Sequence, residues 1–177
     1  LLAVLAPFLP AANPALLEFV PPSLRLLQAD EDLFRVVSFN YDDTLRPNTA
    51  MLMGLQDVRG YDTVIPGRYV RFWGLLEEPQ GLLYSMIHKL VRAESLTSPL
   101  LDLLNVKYAL TTQNIGLPGW REVYRGEINI YQNEDVLPRA FVVHRARRVG
   151  SEEEALAALR APGFDPRPEG VGEGGPA

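Results

Sequence analysis

The feature that most constrains the fold is a succession of short strand-like segments in the second half of the chain. Each is rich in β-branched or aromatic residues and bounded by turn residues; the segments are residues 106–111, 120–125, 128–132 and 139–149. Gly126 and Glu127 suit a two-residue turn between the second and third segments, with Gly at its first central position. Because strands so close in sequence leave little room for crossover connections, we expect them to pair largely antiparallel.

Segments with helical periodicity surround these strands. The pattern predicts a strand over residues 34–39 and helices over residues 22–27, 49–55, 66–76, 82–91, 99–104 and 151–161. Ser98 followed by Pro99 is a typical helix start, and Ser151 with Glu154 forms a capping-box pattern. The order of the elements predicts a mixed α/β, or α+β, fold in which one mostly antiparallel sheet has helices packed on one face.

The two ends of the chain differ in composition from its middle. Residues 1–20 form an apolar arm that three prolines interrupt, so the arm does not provide the roughly 20-residue helix that spans a membrane. It either packs on the domain or is the trailing end of a membrane helix. Residues 21–163 are expected to form the mixed domain, and residues 164–177 a flexible Gly- and Pro-rich tail. With no initiator Met before Leu1, we expect the chain to be a segment of a longer protein.

The charge balance and the absence of Cys exclude several function classes. A formal net charge of −5 argues against nucleic-acid partners and against a polybasic membrane-surface module, since both need a basic surface. The chain contains no Cys, which excludes disulfides, thiol catalysis and Cys-based zinc sites. The only two histidines, His88 and His144, have no neighbours at metal-ligand spacing. We therefore expect neither a metal nor a cofactor.

The acidic clusters and the known catalytic motifs do not yield a complete active site. Residues 30–32 and 42–43 are acidic, but they lack the alternating oxygen ligands and the Gly turn of a calcium loop. The chain has no Gly-rich phosphate loop after a strand, no Gly-x-Ser-x-Gly and no His-Glu-x-x-His. The sequence therefore predicts no catalytic residue.

Three longer segments carry more specific patterns. The first motif reads Asn-Thr-Ala-Met-Leu-Met-Gly-Leu-Gln-Asp-Val-Arg-Gly-Tyr-Asp over residues 48–62, and Arg68-Tyr69 follows it. The second reads Leu-Leu-Asn-Val-Lys-Tyr-Ala-Leu over residues 103–110, and the third reads Tyr-Gln-Asn-Glu-Asp-Val-Leu-Pro-Arg-Ala-Phe-Val over residues 131–142. In this order they resemble the extracytoplasmic region of the YfhO-like family of bacterial polytopic membrane proteins. The resemblance covers about residues 34–160.

The resemblance implies a function that the residues alone do not. Proteins of this family look like membrane-embedded glycosyltransferases that take sugars from polyprenyl-phosphate carriers. Their membrane helices and catalytic carboxylates would lie outside this chain, so the isolated domain is expected not to be catalytic. The implied location is the extracytoplasmic side of the cell membrane. The implied partners are a glycan or a polyprenyl-phosphate sugar, bound through the parent protein, and the membrane, contacted through segments outside this chain.

Six residues in or after the first motif are candidates to face a ligand: Asn48, Asp57, Tyr61, Asp62, Arg68 and Tyr69. Tyr61 and Asp62 could present a phenol and a carboxylate to a sugar in a cleft. Alternatively, Tyr61 packs on the sheet and Asp62 closes a Gly-enabled turn. Arg68 and Tyr69 could contact a lipid-linked phosphate, since Arg offers a fork of donors. Alternatively, Arg68 pairs with Asp57 or Asp62.

Five further residues are expected to shape the backbone: Gly60, Asn105, Asn133, Pro138 and Arg139. Gly60 would permit a turn, and Asn105 would end a helix in the left-handed conformation, which Asn tolerates. Asn133 and Arg139 would fix a loop through side-chain bonds to the backbone. Pro138 would be the first residue of a strand.

Three functions remain open at this point. The first is an extracytoplasmic accessory domain that helps to bind or position a glycan or a lipid-linked sugar. The second is a structural or interaction module without a ligand. The third is a small enzyme that uses paired carboxylates such as Asp57 and Asp62.

Overall fold

The computed structural model of the protein describes residues 19–40, 45–78 and 86–174. Its helices are α1 (Pro22–Gln28), α2 (Thr49–Leu52), α3 (Gly67–Leu76), α4 (Ala93–Leu96), α5 (Pro99–Leu103) and α6 (Glu152–Arg160). Its strands are β1 (Arg35–Ser38), β2 (Gly60–Tyr61), β3 (Met86–Ile87), β4 (Val106–Thr111), β5 (Trp120–Arg125), β6 (Asn129–Asn133), β7 (Arg145–Val149) and β8 (Glu169–Glu173). The predicted mixed α+β class is confirmed.

The central sheet has four strands in the order β1-β4-β6-β5. The strands β5 and β6 form the predicted antiparallel hairpin, and β6 also pairs antiparallel with β4. The strand β1, however, pairs parallel with β4, so the sheet is mixed rather than clearly antiparallel. The long stretch that separates β1 from β4 contains α2 to α5, and a connection of this length permits a parallel crossover.

Two small sheets accompany the central one, so the expectation of a single sheet is wrong. The strand β2 pairs antiparallel with β3, where Gly60 lies opposite Ile87 and Tyr61 opposite Met86. A helix was expected over residues 82–91, but Met86–Ile87 is a strand, and residues 79–85 lie outside the described ranges.

The second small sheet uses residues that the sequence assigns to a tail. The strand β7 pairs parallel with β8 (Glu169–Glu173), and α6 connects the two strands. The domain boundary predicted at residue 163 therefore falls too early, because residues 169–173 belong to this sheet. The strand expected over residues 139–149 is shorter than predicted and begins at Arg145. Pro138 consequently lies in the preceding irregular segment and not at the start of a strand.

Helices cover both faces of the central sheet, whereas the sequence predicted helices on one face only. Alternate strand residues belong to two separate apolar clusters: Val36 and Leu110 to one, Val37 and Ala109 to the other. The helices α1 and α2 contribute buried side chains to the first cluster, and α3, α4 and α5 contribute them to the second. A strand that is buried on both faces lacks polar alternation, which is why β4 reads as almost continuously apolar.

Most of the predicted apolar arm lies outside the described residues. Of residues 1–20, only Phe19 and Val20 are described, and Val20 packs against the cluster formed with α1. Within the described ranges, none of the helices has both the length and the apolar character that a membrane span needs.

Candidate functional site

Arg139 joins the three sequence motifs in space. Its Nε donates to Asn105 Oδ1 at 3.0 Å, and its Nη2 donates to Gln56 Oε1 at 2.8 Å. Gln56 belongs to the first motif, Asn105 to the second and Arg139 to the third. Asn105 in turn donates from Nδ2 to Leu137 O at 2.8 Å, within the third motif. Segments that are distant in sequence therefore share one hydrogen-bonded junction.

Asn105 adopts the conformation that the sequence predicts. Its φ is 59°, in the left-handed region, and it lies between the end of α5 and the start of β4. Its buried side chain does more than terminate a helix, because it binds both Leu137 and Arg139.

Asn133 forms a second buried connection, separate from the junction around Arg139. Its Oδ1 accepts from Asp135 N at 2.9 Å, which is the expected side-chain bond that fixes a loop. Its Nδ2 donates to Asp102 Oδ1 at 2.7 Å and to Val106 O at 3.1 Å. Burial raises the pKa of Asp102, and the bond from Asn133 acts in the opposite direction. The connection attaches the end of β6 to α5 and β4.

A cleft of about 520 Å³ lies beside β1. Its lining includes Arg35, Asp57, Gly60, Ile65, Tyr69 and Leu104. Asp57, Gly60 and Tyr69 belong to the segment that the sequence analysis selected, whereas Tyr61, Asp62 and Arg68 do not line this cleft. Two backbone bonds position Asp57, since Val36 N donates to Gln56 O at 2.8 Å and Val58 N donates to Val36 O at 3.1 Å.

Asp57 forms a buried ion pair with Arg59 at one wall of the cleft. Arg59 Nη2 lies 2.7 Å from Asp57 Oδ2, and Arg59 Nε donates to Asp57 Oδ1 at 3.1 Å. The Arg59 backbone N–H also donates to Oδ1 at 2.8 Å. Burial raises the pKa of Asp57, while the charge of Arg59 and its hydrogen bonds oppose that shift. The pair neutralises Asp57, and because the side chains of Arg59 and Asp57 are only 0% and 3% exposed, the pair stabilises this wall from within and adds no net charge to the cleft.

Tyr69 forms a second wall of the cleft. Its phenol donates to Val58 O, and its ring packs against Trp73 with the centroids 6.3 Å apart. Burial raises the pKa of the Tyr69 phenol, and the charge of Arg35 works against that rise. The ring is therefore held in place on α3, with its hydroxyl proton already committed to the backbone.

Asn48 and Tyr61 contact each other instead of lining the cleft. The Asn48 side chain donates to Tyr61 O, and Tyr61 N donates to Asn48 Oδ1 at 3.1 Å. Asn48 precedes α2 but makes no capping bond there, because its φ of 70° directs its amide towards β2. Gly60 is a strand residue without a positive φ, so the predicted Gly-enabled turn is absent. The Tyr61 side chain is 58% exposed and does not pack on the sheet.

Asp62 and Arg68 are both engaged on the surface. Asp62 Oδ1 accepts from Thr63 N at 2.6 Å and from Thr63 Oγ1 at 3.2 Å, so this carboxylate binds the next residue and does not close the expected Gly-enabled turn. Arg68 Nη2 pairs with Glu173 Oε2 at 2.8 Å, and the predicted partners Asp57 and Asp62 do not bind it. Since Asp57 binds Arg59 and Asp62 binds Thr63, the geometry gives the paired-carboxylate enzyme no support.

A separate apolar groove of about 500 Å³ lies between α3 and α6. Arg68 and Glu173 lie at its edge, and Phe72, Leu156 and Leu159 are among its apolar lining residues. Tyr69 and Leu104 line both this groove and the cleft beside β1.

The sequence patterns did not indicate two charged residues of the cleft, Arg35 and Arg59. Arg35 begins β1, directly before two valines, and a lone Arg at the start of a buried strand is the signal that could have indicated it. Arg59 stands two residues after Asp57. That spacing places both side chains on one side of an extended segment.

Comparison with protein-family models, with curated proteins and with solved structures finds no match to this chain. In the described part of the chain, no group of three or more His, Cys, Asp or Glu side chains could hold a metal ion. The contacts of the cleft and of the Arg139 junction are therefore the basis on which a function can be proposed.

Proposed function

We propose that this chain is the extracytoplasmic domain of a polytopic bacterial membrane protein. In this proposal the domain binds or positions a glycan or a lipid-linked sugar and does not catalyse a reaction itself. The membrane is contacted by other parts of the protein, and the domain lies on the outer side of the cell membrane. The order of the three motifs supports this assignment, and so does their convergence at Arg139.

One observation supports sugar binding in particular: a single cleft combines the guanidinium of Arg35 with the aromatic ring of Tyr69. Sugar hydroxyls both donate and accept hydrogen bonds, so they can accept from the Arg35 guanidinium, whereas the Asp57–Arg59 pair is buried, with side-chain exposures of 3% and 0%. The Tyr69 ring offers a flat apolar surface for the C–H face of a sugar. Binding sites for small molecules typically combine apolar walls with a few placed polar groups.

Titration of the ¹⁵N-labelled chain with glucose, mannose and N-acetylglucosamine tests this proposal. We expect amide shifts at Gly60, Ile65 and Tyr69, all of which belong to the cleft. Tyr69→Leu removes the ring and should weaken the affinity about tenfold, which corresponds to about 1.4 kcal/mol. Tyr61→Leu is the matched control, because Tyr61 is exposed and lies outside the cleft lining. Unchanged cleft amides at saturating sugar would contradict the proposal.

Two further measurements test the catalytic and topological parts. The purified chain, incubated with a polyprenyl-phosphate sugar and an acceptor glycan, should transfer no sugar; clear turnover would contradict an accessory role. Because the chain contains no Cys, Glu153→Cys in the whole protein introduces one exposed thiol into this domain. A membrane-impermeant maleimide should label that thiol in intact cells. Labelling only after lysis would contradict the extracytoplasmic location.

A second candidate, an interaction module, is favoured by one exposed apolar surface. Met51, Leu52 and Val64 have exposed fractions of 72%, 73% and 77%. The bonds between Asn48 and Tyr61 bring the segments that carry these side chains together. Exposed apolar patches often mark protein contacts. Absence of saccharide binding, combined with self-association that Leu52→Ser abolishes, would favour this candidate over the first.

A further inference from the structure

Two arginines flank the start of β1 without a carboxylate partner among the described residues. Arg35 Nη1 donates to Leu104 O at 2.9 Å, which is a neutral acceptor. Arg139 also binds neutral acceptors, the side-chain oxygens of Asn105 and Gln56. In a chain with a formal net charge of −5, two neighbouring guanidinium groups to which the described residues offer no carboxylate are unusual.

The two guanidinium charges are close enough to influence each other. Burial lowers the pKa of Arg139, and the positive charge of Arg35 lowers it further. Both residues also contact Asn105, since Arg35 N donates to Asn105 O at 2.9 Å and Arg139 Nε donates to the Asn105 side chain at 3.0 Å. Repulsion between these like charges is unfavourable, and an anion bound near Arg35 would relieve it.

The cleft itself has a surplus of positive charge. Arg35, Asp57 and Arg59 are the charged groups of its lining. Asp57 is neutralised by Arg59 at 2.7 Å, which leaves the charge of Arg35 without an acidic partner among the lining residues. A second pocket, which Arg139 lines together with Asp32, has no other acidic residue in its lining, and Asp32 already binds Lys107 at 2.6 Å.

We propose that Arg35 binds an anionic group of the ligand, the phosphate or carboxylate of an acidic sugar, in the cleft beside β1. This inference rests on the proposed sugar-binding function and adds the chemical class of the ligand. Arg35 uses one of its five N–H donors for Leu104 O, so a bidentate fork remains for an oxyanion. Arg139 contributes a positive potential, and Tyr69 contributes only its ring, because its hydroxyl proton is bound to Val58 O.

A titration series with glucose, glucose 1-phosphate, glucuronate and inorganic phosphate tests the inference. The readouts are the Arg35 Nε–Hε resonance and the Gly60 amide. We expect glucose 1-phosphate or glucuronate to bind about tenfold more tightly than glucose, and this gain to shrink in high salt. Comparison of glucose 1-phosphate with glucuronate distinguishes a phosphate source from a carboxylate source.

Three variants separate the role of the fork from that of net charge. Arg35→Gln should reduce the affinity for the acidic sugar about tenfold. Arg35→Lys keeps the charge but loses the fork, so its affinity should be intermediate. Arg160→Gln is the control, since it removes the same charge from an exposed position at the end of α6 and should change the affinity less than about twofold.

Each outcome separates this inference from the proposed function. Cleft binding of glucose with no gain from its phosphate or carboxylate leaves the sugar-binding function standing and overturns the anion site. Equal binding of inorganic phosphate and glucose 1-phosphate, with dependence on Arg35, supports the anion site and contradicts sugar recognition. Absence of binding by every probe overturns both. If Arg35→Gln does not fold, the ratio of the affinity for the acidic sugar to the affinity for glucose is compared between the unmodified chain and Arg35→Lys. An equal ratio in the two proteins would overturn the anion site.

Discussion

Arg139 Nε lies 3.0 Å from Asn105 Oδ1, across 34 residues of sequence. This bond holds the segment after β6 against the loop that precedes β4. Asn105 is only 4% exposed, so loss of this bond would leave the buried amide oxygen of Asn105 without its partner. The same loop also binds the start of β1, because Arg35 N donates to Asn105 O at 2.9 Å.

Substitutions of Asn105 should separate the contribution of its backbone from that of its side chain. Asn105→Gly tolerates the φ of 59° but loses the bonds to Leu137 and Arg139, and should reduce the free energy of unfolding by about 1–3 kcal/mol. Asn105→Ala loses the same bonds and adds about 1 kcal/mol of left-handed strain. Urea unfolding followed by the fluorescence of the buried Trp73 and Trp120 measures both. Equal free energies of unfolding for the two variants would contradict the prediction that the left-handed conformation at residue 105 strains an Ala.

Loss of the Asp57 carboxylate should be among the most destabilising single changes. Asp57→Asn leaves the Arg59 guanidinium, whose side chain is 0% exposed, without its buried counterion, and should lower the free energy of unfolding by about 3–5 kcal/mol. Glu134→Gln is the control, because Glu134 pairs with Arg121 on the surface and an exposed pair contributes less than about 1 kcal/mol. Similar effects of the two variants would contradict a structural role for the buried pair.

Gly60→Ala should be nearly neutral, contrary to what a Gly-dependent turn would require. Gly60 has no positive φ, and an added Cβ would meet only Asn48 Oδ1 at 3.9 Å. The free energy of unfolding should change by less than about 1 kcal/mol. Gly119→Ala is the contrast, since Gly119 has a φ of 81° and its Cβ would lie 2.8 Å from Asp135 Oδ2. Thermal unfolding of both should rank Gly119→Ala as clearly less stable, and the reverse order would contradict the backbone assignment.

Glu127 should make the fold sensitive to acid. Burial opposes its charge, but bonds from Ser23 N and Tyr124 Oη prevail and lower the pKa of Glu127 from its ordinary 4.5 to about 2. A lowered carboxyl pKa stabilises the folded state above pH 4.5, and this contribution is lost as the pH falls towards 2. Glu127→Gln should therefore flatten the pH dependence of urea unfolding in that window, while Glu31→Gln, in an exposed loop, should not. Identical profiles would contradict the prediction.

The features that the sequence predicted correctly depend on chemistry between neighbouring residues. Ser98 caps α5 through Leu100 N at 3.3 Å, and Ser151 caps α6 through Glu154 N at 3.2 Å. Asn105 is left-handed as expected. These outcomes follow from short-range hydrogen bonds and backbone preferences, which a local pattern contains.

The features that were missed depend on contacts between distant segments. Asn48 has the residue type of a helix cap, but its side chain binds Tyr61, because β2 offers two backbone groups at that position. The parallel strand β8 follows a Pro- and Gly-rich stretch, and its strand conformation depends on pairing with β7 rather than on its own composition.

The sequence by itself determined where most helices start, where the hairpin lies, that the class is α+β, and that three motifs follow in a specific order. Only the tertiary structure decided that helices cover both faces of the sheet and that Arg35, Asp57 and Tyr69 line one cleft. The physical reason is that local periodicity sets which face of an element is apolar, whereas the parallel pairing of β1 with β4 and the register of residues 56–58 along β1 set which side chains meet.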